Sequence, residues 1–121
     1  RALGGFNLLP AQIVALDPGR GTSKLRLGET DLAGPYFPGK LKGDQVTICI
    51  RPLELTVRPA FGKPGANQVP VQLERVTELA HSVRLHFDGG IAVEVGRADF
   101  DQRRHHREWF VEFPAERLRV V

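Results

Sequence analysis

Val83-Arg84-Leu85-His86-Phe87-Asp88-Gly89-Gly90-Ile91-Ala92-Val93 carries the two signals from which the fold follows. Apolar Val83, Leu85 and Phe87 alternate with polar Arg84 and His86, the period-two spacing of a strand with one buried face. Asp88-Gly89-Gly90 then supplies a tight hairpin turn, because glycine tolerates the positive φ such turns demand. A second apolar run, Ile91–Val95, follows it. The same grammar recurs in Val46-Thr47-Ile48-Cys49-Ile50, whose apolar residues share one face. Further strands are expected at Ala11–Leu16, Lys24–Leu27, Leu53–Val57, Val69–Val76, Trp109–Phe113 and Leu118–Val121, all short, rich in Val, Ile, Leu and Phe and bounded by turn residues. Helix is expected only at Arg97–Arg104, as a helix or turn, with a further turn near Ala115–Arg117. The fold class is all-β.

The chain also repeats itself. Pro10-x-Gln12-Ile13-x-x-Leu16 recurs as Pro70-x-Gln72-Leu73-x-x-Val76, and at the same offset Leu25-x-Leu27 recurs as Leu85-x-Phe87. Ile48-x-Ile50, Arg51-Pro52 and Leu55-x-Val57 are echoed by Val111-x-Phe113, Pro114 and Leu118-x-Val120. Two copies of one strand unit are therefore expected, residues 1–57 and 69–121, joined by a Gly/Pro-rich linker at 58–68 and forming one compact unit. Units this small gain by close packing, strand exchange between halves or dimerisation, which bury shared apolar faces and cover strand edges.

With 121 residues, 41% of them hydrophobic, the chain can bury one or two small cores, which excludes a large multidomain enzyme. A net charge of +3 is common on soluble surfaces and names no partner. The single cysteine, Cys49, has no intramolecular disulfide partner and fits a reducing compartment. No apolar run approaches the roughly 20 residues of a membrane-spanning helix. The chain begins at Arg1 rather than Met, and a piece of a longer polypeptide is expected.

Several strings invite a chemical reading that their chemistry does not support. Gly34-Pro35-Tyr36-Phe37-Pro38-Gly39-Lys40-Leu41 satisfies Gly-x4-Gly-Lys, yet Pro35 and Pro38 have no N–H for a phosphate and Leu41 has no hydroxyl for Mg²⁺. Arg20, between Gly19 and Gly21, reads as a turn. His81 and His86 fall on opposite faces of an extended chain, as do adjacent His105 and His106, and Arg103, Arg104 and Arg107 repel a cation, so no metal site is expected. Cys49 reads as a partly buried structural thiol. No catalytic residue is expected. Arg103–Arg107 with Trp109 and Phe110 suggests a nucleic-acid surface in which Trp109 would stack, but Asp99, Asp101 and Glu108 weigh against it. Arg51, with Glu54 and Glu116 available, is a candidate anchor for an ion pair between halves or subunits.

Gly5-Phe6-Asn7-Leu8-Leu9-Pro10, Gly43-Asp44-Gln45-Val46-Thr47-Ile48-Cys49-Ile50-Arg51-Pro52, the stretch Val71–Phe87, and Phe113-Pro114-Ala115-Glu116-Arg117-Leu118-Arg119-Val120 together resemble the C-terminal regulatory region of ABC importer ATPase subunits. The family carries Glu directly after Arg-Pro, where this chain has Leu53 with Glu54 one place later; on a strand that shift would change the face. It commonly has Gly after the Leu of Glu78-Leu79, where this chain has Ala80. The resemblance implies a duplicated oligonucleotide-binding-like small β-barrel of the TOBE or MOP kind, acting as a non-catalytic regulatory and dimerisation domain. Arg51, Glu54, Glu116 and Arg117 are its candidate regulatory or interface residues. No cofactor is expected in this piece, ATP and Mg²⁺ belonging to an upstream ATPase domain. The implied partners are that domain, a second copy and an inner-membrane permease, at the cytoplasmic face of the inner membrane. Val93–Arg107, with Phe100 after Asp99, looks more like sulfate-type relatives, beside ferric iron and polyamine types. The alternative reading is an oxyanion-sensing module with a small-molecule ligand.

Overall fold

The computed structural model describes residues 2, 3 and 5–121. Their strands are β1 (Ala2–Leu3), β2 (Phe6–Asp17), β3 (Thr22–Leu27), β4 (Thr30–Pro35), β5 (Gln45–Ile50), β6 (Thr56–Pro59), β7 (Gln68–Glu78), β8 (Ser82–Phe87), β9 (Ile91–Gly96), β10 (Glu108–Glu112) and β11 (Arg119–Val120). One short helix, α1 (Arg97–Asp101), and three 3-10 turns at Pro52–Glu54, Asp88–Gly90 and Ala115–Arg117 connect them. Two antiparallel sheets result, one ordered β11-β5-β2-β3-β4 with β1 on β2, the other β6-β10-β7-β8-β9.

The repeat governs these sheets down to their register. β6, from the first copy, lies beside β10 of the second, while β11 returns to lie beside β5 of the first. Val57 pairs with Val111, and Val120 with Ile48; each residue of the second copy stands 63 after its equivalent (111 minus 48, 120 minus 57). The two halves thus exchange their last strands reciprocally, and each sheet draws on both. β6 also overlaps the Gly/Pro-rich stretch 58–68, taking Arg58 and Pro59 into the ladder.

Each long strand bends at the same place. The β2 register breaks between Ile13 and Ala15, and that of β7 between Leu73 and Arg75, 60 residues on (73 minus 13). A bulge of this kind raises the local twist and lets a strand serve two neighbours around a barrel corner. The freed N–H groups are used: Ile13 donates to the Asp44 carbonyl at 2.9 Å and Leu73 to the Arg107 carbonyl at 2.8 Å. Alternation inward from both sheets builds one continuous core, in which Leu9, Ile13, Leu25, Leu32, Ile48 and Ile50 meet Val83, Leu85, Val93, Trp109, Val111 and Phe113.

Several elements depart from expectation, β1 among them. β4 was not anticipated: Thr-Asp-Leu-Ala-Gly-Pro offers one large apolar residue, yet that residue, Leu32, is fully buried opposite Leu25. Leu53, placed on a strand by the sequence, lies in the Pro52–Glu54 turn and is exposed, because Pro52 fixes φ for the turn and supplies no ladder donor. The helix expected over 97–104 ends at Asp101 and passes into turns.

Candidate functional site

The two copies are joined by a matched pair of asparagines. Asn7, near the start of β2, is fully buried; its Oδ1 accepts the Ala92 N–H at 2.8 Å while its Nδ2 donates to the Ala92 carbonyl at 2.8 Å. Asn67, just before β7, does the same to Ala33, at 2.8 and 2.9 Å, and donates further to the Phe113 carbonyl at 2.8 Å. A side-chain amide presents the donor and acceptor of a peptide group, so each asparagine continues the hydrogen bonding of a strand in the other half. Asn67 sits at φ 56°, a left-handed conformation that asparagine tolerates better than most residues. Neither residue was singled out from the sequence. The signal was present, since Asn7 and Asn67 stand 60 apart, in the same phase as Pro10 and Pro70.

The residues expected at an interface gather at this junction in a different pairing. Arg51 forms no side-chain ion pair with Glu54 or Glu116 among the described residues; its guanidinium lies 5.0 Å from the centroid of the Phe6 ring. The contact between Arg51 and Glu54 is instead a backbone one, the Arg51 N–H donating to Glu54 Oε1 at 2.9 Å across the turn. Being in a turn rather than on a strand, Glu54 faces the β11 end of the chain. There it meets Arg119 Nη2 at 2.6 Å and Arg117 Nη1 at 3.9 Å, so the ion pair between halves exists with Arg119 as the closer cation. Glu116 is exposed and makes no ion pair among the described residues. Burial pushes the Glu54 carboxyl up, but the Arg51 N–H, the Arg119 hydrogen bond and the charges of Arg119 and Arg117 together hold it below the usual glutamate value. Glu54→Gln is expected to cost about 1–2 kcal/mol in urea unfolding, because the carboxylate is largely buried while both arginines remain hydrated.

Other titratable pairs reinforce the second sheet. Arg84 and Glu94 face each other across β8 and β9 at 2.9 Å, with Ser82 Oγ donating to the same carboxylate at 3.0 Å. The Arg84 hydrogen bond lowers Glu94 against the opposing effect of burial. His86 is lowered by burial first and then by the charges of Arg75 and Arg84. A lowered carboxyl contributes stability above its unfolded pKa and loses it as pH falls through the folded one. A lowered histidine costs stability once pH drops below its unfolded value, because only the unfolded chain readily takes the proton. Stability is therefore expected to fall from neutrality through about pH 6.5, and more steeply below about pH 4.5. Thermal melts between pH 8 and 3 check this, and His86→Gln removes the upper step.

Gly34–Leu41 forms the end of β4 and a turn leading toward a strand. Cys49 is half-buried. Among the described residues no three His, Cys, Asp or Glu side chains form a metal-binding group. Trp109, expected to be available for stacking, is instead 1% exposed, donating Nε1–H to the His106 carbonyl at 3.0 Å and lying in core contact with Phe87 and Phe100. It offers no face to a base. A cleft of about 600 Å³ runs between the halves past Pro10, Leu27, Glu29, Thr30, Val71 and Asp88, an apolar and acidic lining. No helix of the described residues is long and apolar enough to cross a membrane.

Two sheets of this order, built from a repeated unit with bulged long strands, form a duplicated oligonucleotide-binding-like β-barrel fold. The fold is similar to that of the cytoplasmic molybdate-binding protein ModG, solved with molybdate bound. The TM-score is 0.79 over 99% of this chain and 98% of that one, at 14% sequence identity. No family model matches the sequence, and no curated protein matches it.

Proposed function

We propose that this chain is the non-catalytic C-terminal regulatory and dimerisation module of the ATP-binding subunit of an ABC importer of the sulfate, ferric iron or polyamine type. The observation that carries this reading is where the family-like strings fall. Gly5–Pro10 holds Asn7, Gly43–Pro52 forms β5 and enters the Glu54 turn, and Phe113–Val120 supplies Arg117, Arg119 and β11. All three meet at the junction of the halves, which a module that transmits position between subunits must keep rigid. In this reading the upstream domain holds ATP and Mg²⁺, a second copy and an inner-membrane permease complete the assembly at the cytoplasmic face, and this module performs no chemistry of its own. An antibody against the module is expected to find a polypeptide much heavier than 13.4 kDa in source cells, retained on immobilised ATP. A band of the module's own size that ignores ATP overturns the reading.

A second reading, an oxyanion-sensing module, is favoured by the likeness to ModG over nearly the whole chain. Calorimetric titration with molybdate and sulfate tests it, and absence of heat at millimolar ligand removes it.

A further inference from the structure

A cleft of about 280 Å³ lies between the bulged stretch of β7, Leu73–Val76, and the turn Arg104–Arg107. Arg75, Arg104, Arg107, His105 and His106 line it, with Glu74 as the one carboxylate among its lining residues. Arg104 is already engaged, paired with Asp101 and stacked 5.1 Å from the Phe100 ring centroid. The other two arginines have no carboxylate partner among the described residues. The Arg107 side chain has no hydrogen-bond or ion-pair partner among the described residues, and Arg75 makes one long contact, from Nη2 to His86 Nδ1 at 3.5 Å.

The molecule contains its own control for what the scaffold requires. The hydrogen bonds Ile13 to Asp44 and Leu73 to Arg107 align the two bulge-and-turn units. In the first copy Val14 and Ala15 stand where the second has Glu74 and Arg75, and Leu41-Lys42-Gly43-Asp44 stands where the second has Arg104-His105-His106-Arg107. The same bulge therefore closes on a turn of far lower positive charge, and the cations of the second copy are no requirement of the fold. Gathering like charges in one cleft costs stability unless an anion is bound.

We propose that this cleft binds a small molecule carrying two or more linked phosphate groups. Guanidinium forks pair with phosphate two bonds at a time, and two forks without carboxylate partners match two phosphates better than one ion. The four-residue edge of β7 extends about 10 Å, the reach of a linear polyphosphate rather than of a single tetrahedral oxyanion. The site is separate from the junction of the halves and depends on neither functional reading above.

Tripolyphosphate, alone and as the tail of ATP without metal, is the probe, titrated into the 121-residue chain at about 50 mM salt with amide NMR as readout. Saturable shifts confined to residues 73–76 and 104–107 are expected. Arg75→Ala and Arg107→Ala are each expected to weaken binding by at least about five-fold, and the backbone hydrogen bond from Leu73 survives the second substitution. Lys42→Ala, in the equivalent turn of the first copy, leaves affinity unchanged. No saturation by about 10 mM, an equal loss with Lys42→Ala, or sulfate binding as tightly as tripolyphosphate each overturns the proposal. So does a single-stranded oligonucleotide that occupies the cleft more tightly. Equal binding of ATP and free tripolyphosphate assigns recognition to the phosphates, and tighter ATP points to a nucleotide. Molybdate heat without tripolyphosphate shifts supports the oxyanion reading while rejecting this one.

Discussion

Asn7→Ala is expected to lower the unfolding free energy by about 3–5 kcal/mol, among the largest losses of any single polar residue in the chain. The substitution removes two hydrogen bonds at once and strands both the N–H and the C=O of Ala92, which is itself buried. Two unsatisfied backbone groups cost more than two ordinary bonds contribute, because water cannot replace the lost partner. Asn67→Ala removes three bonds of the same lengths, yet Ala33 is exposed and Asn67 only half-buried, so hydration recovers part of the loss and about 1–2 kcal/mol is expected. Urea unfolding of the two variants measures the difference directly. In thermal melts the Asn7 variant should fall by roughly 10–20 °C. Equal losses at the two sites would contradict the assignment of the effect to burial.

Deleting residues 119–121 is expected to have a comparable effect, about 3–5 kcal/mol, and to be felt in both sheets. The segment supplies the β11 pairing with β5, the reciprocal bonds between Thr47 and Val121 at 3.1 and 2.9 Å, and the Arg119 partner of Glu54. Because β6 crosses to β10 and the core is continuous, the intact chain should unfold in one cooperative transition. The shortened chain should lose near-ultraviolet signal from Trp109, in the other sheet, together with its first-sheet structure. A Trp109 signal that survives while the first sheet melts would mean that the halves are independent.

Much of this architecture can be read from the residues. Alternation in Val46–Ile50 and Val83–Phe87 places those strands and their buried faces, and Asp88-Gly89-Gly90 places the turn, with Gly89 and Gly90 both at positive φ. The repeat locates equivalent strands and, through Asn7 and Asn67, points to the clamps. What alternation does not encode is which sheet a strand joins. Thr56–Pro59 and Arg119–Val120 have the same pattern whether they close their own copy or the other, and their exchange is settled by the turns before them and by long-range packing. Glu54 is a case of the same kind. Its partner depends on the 3-10 turn that Pro52 starts: closeness in sequence offers Arg51, whereas the turn carries the carboxylate to Arg119. Trp109 beside a basic run has the composition of a nucleic-acid surface, but its strand register turns the indole into the core.

The crossing of β11 back to β5 also orders events in time. Arg119 and Cys49 pair across 70 residues of chain (119 minus 49), a separation that slows closure. During vectorial synthesis β6 is already waiting when β10 emerges, so the second sheet can be completed at once. The first cannot, and the apolar edge of β5 stands uncovered on the ribosome until residue 121 has been made. That interval is when the nascent chain is most exposed to pairing with a neighbour, and a chaperone or a second nascent copy would act on β5.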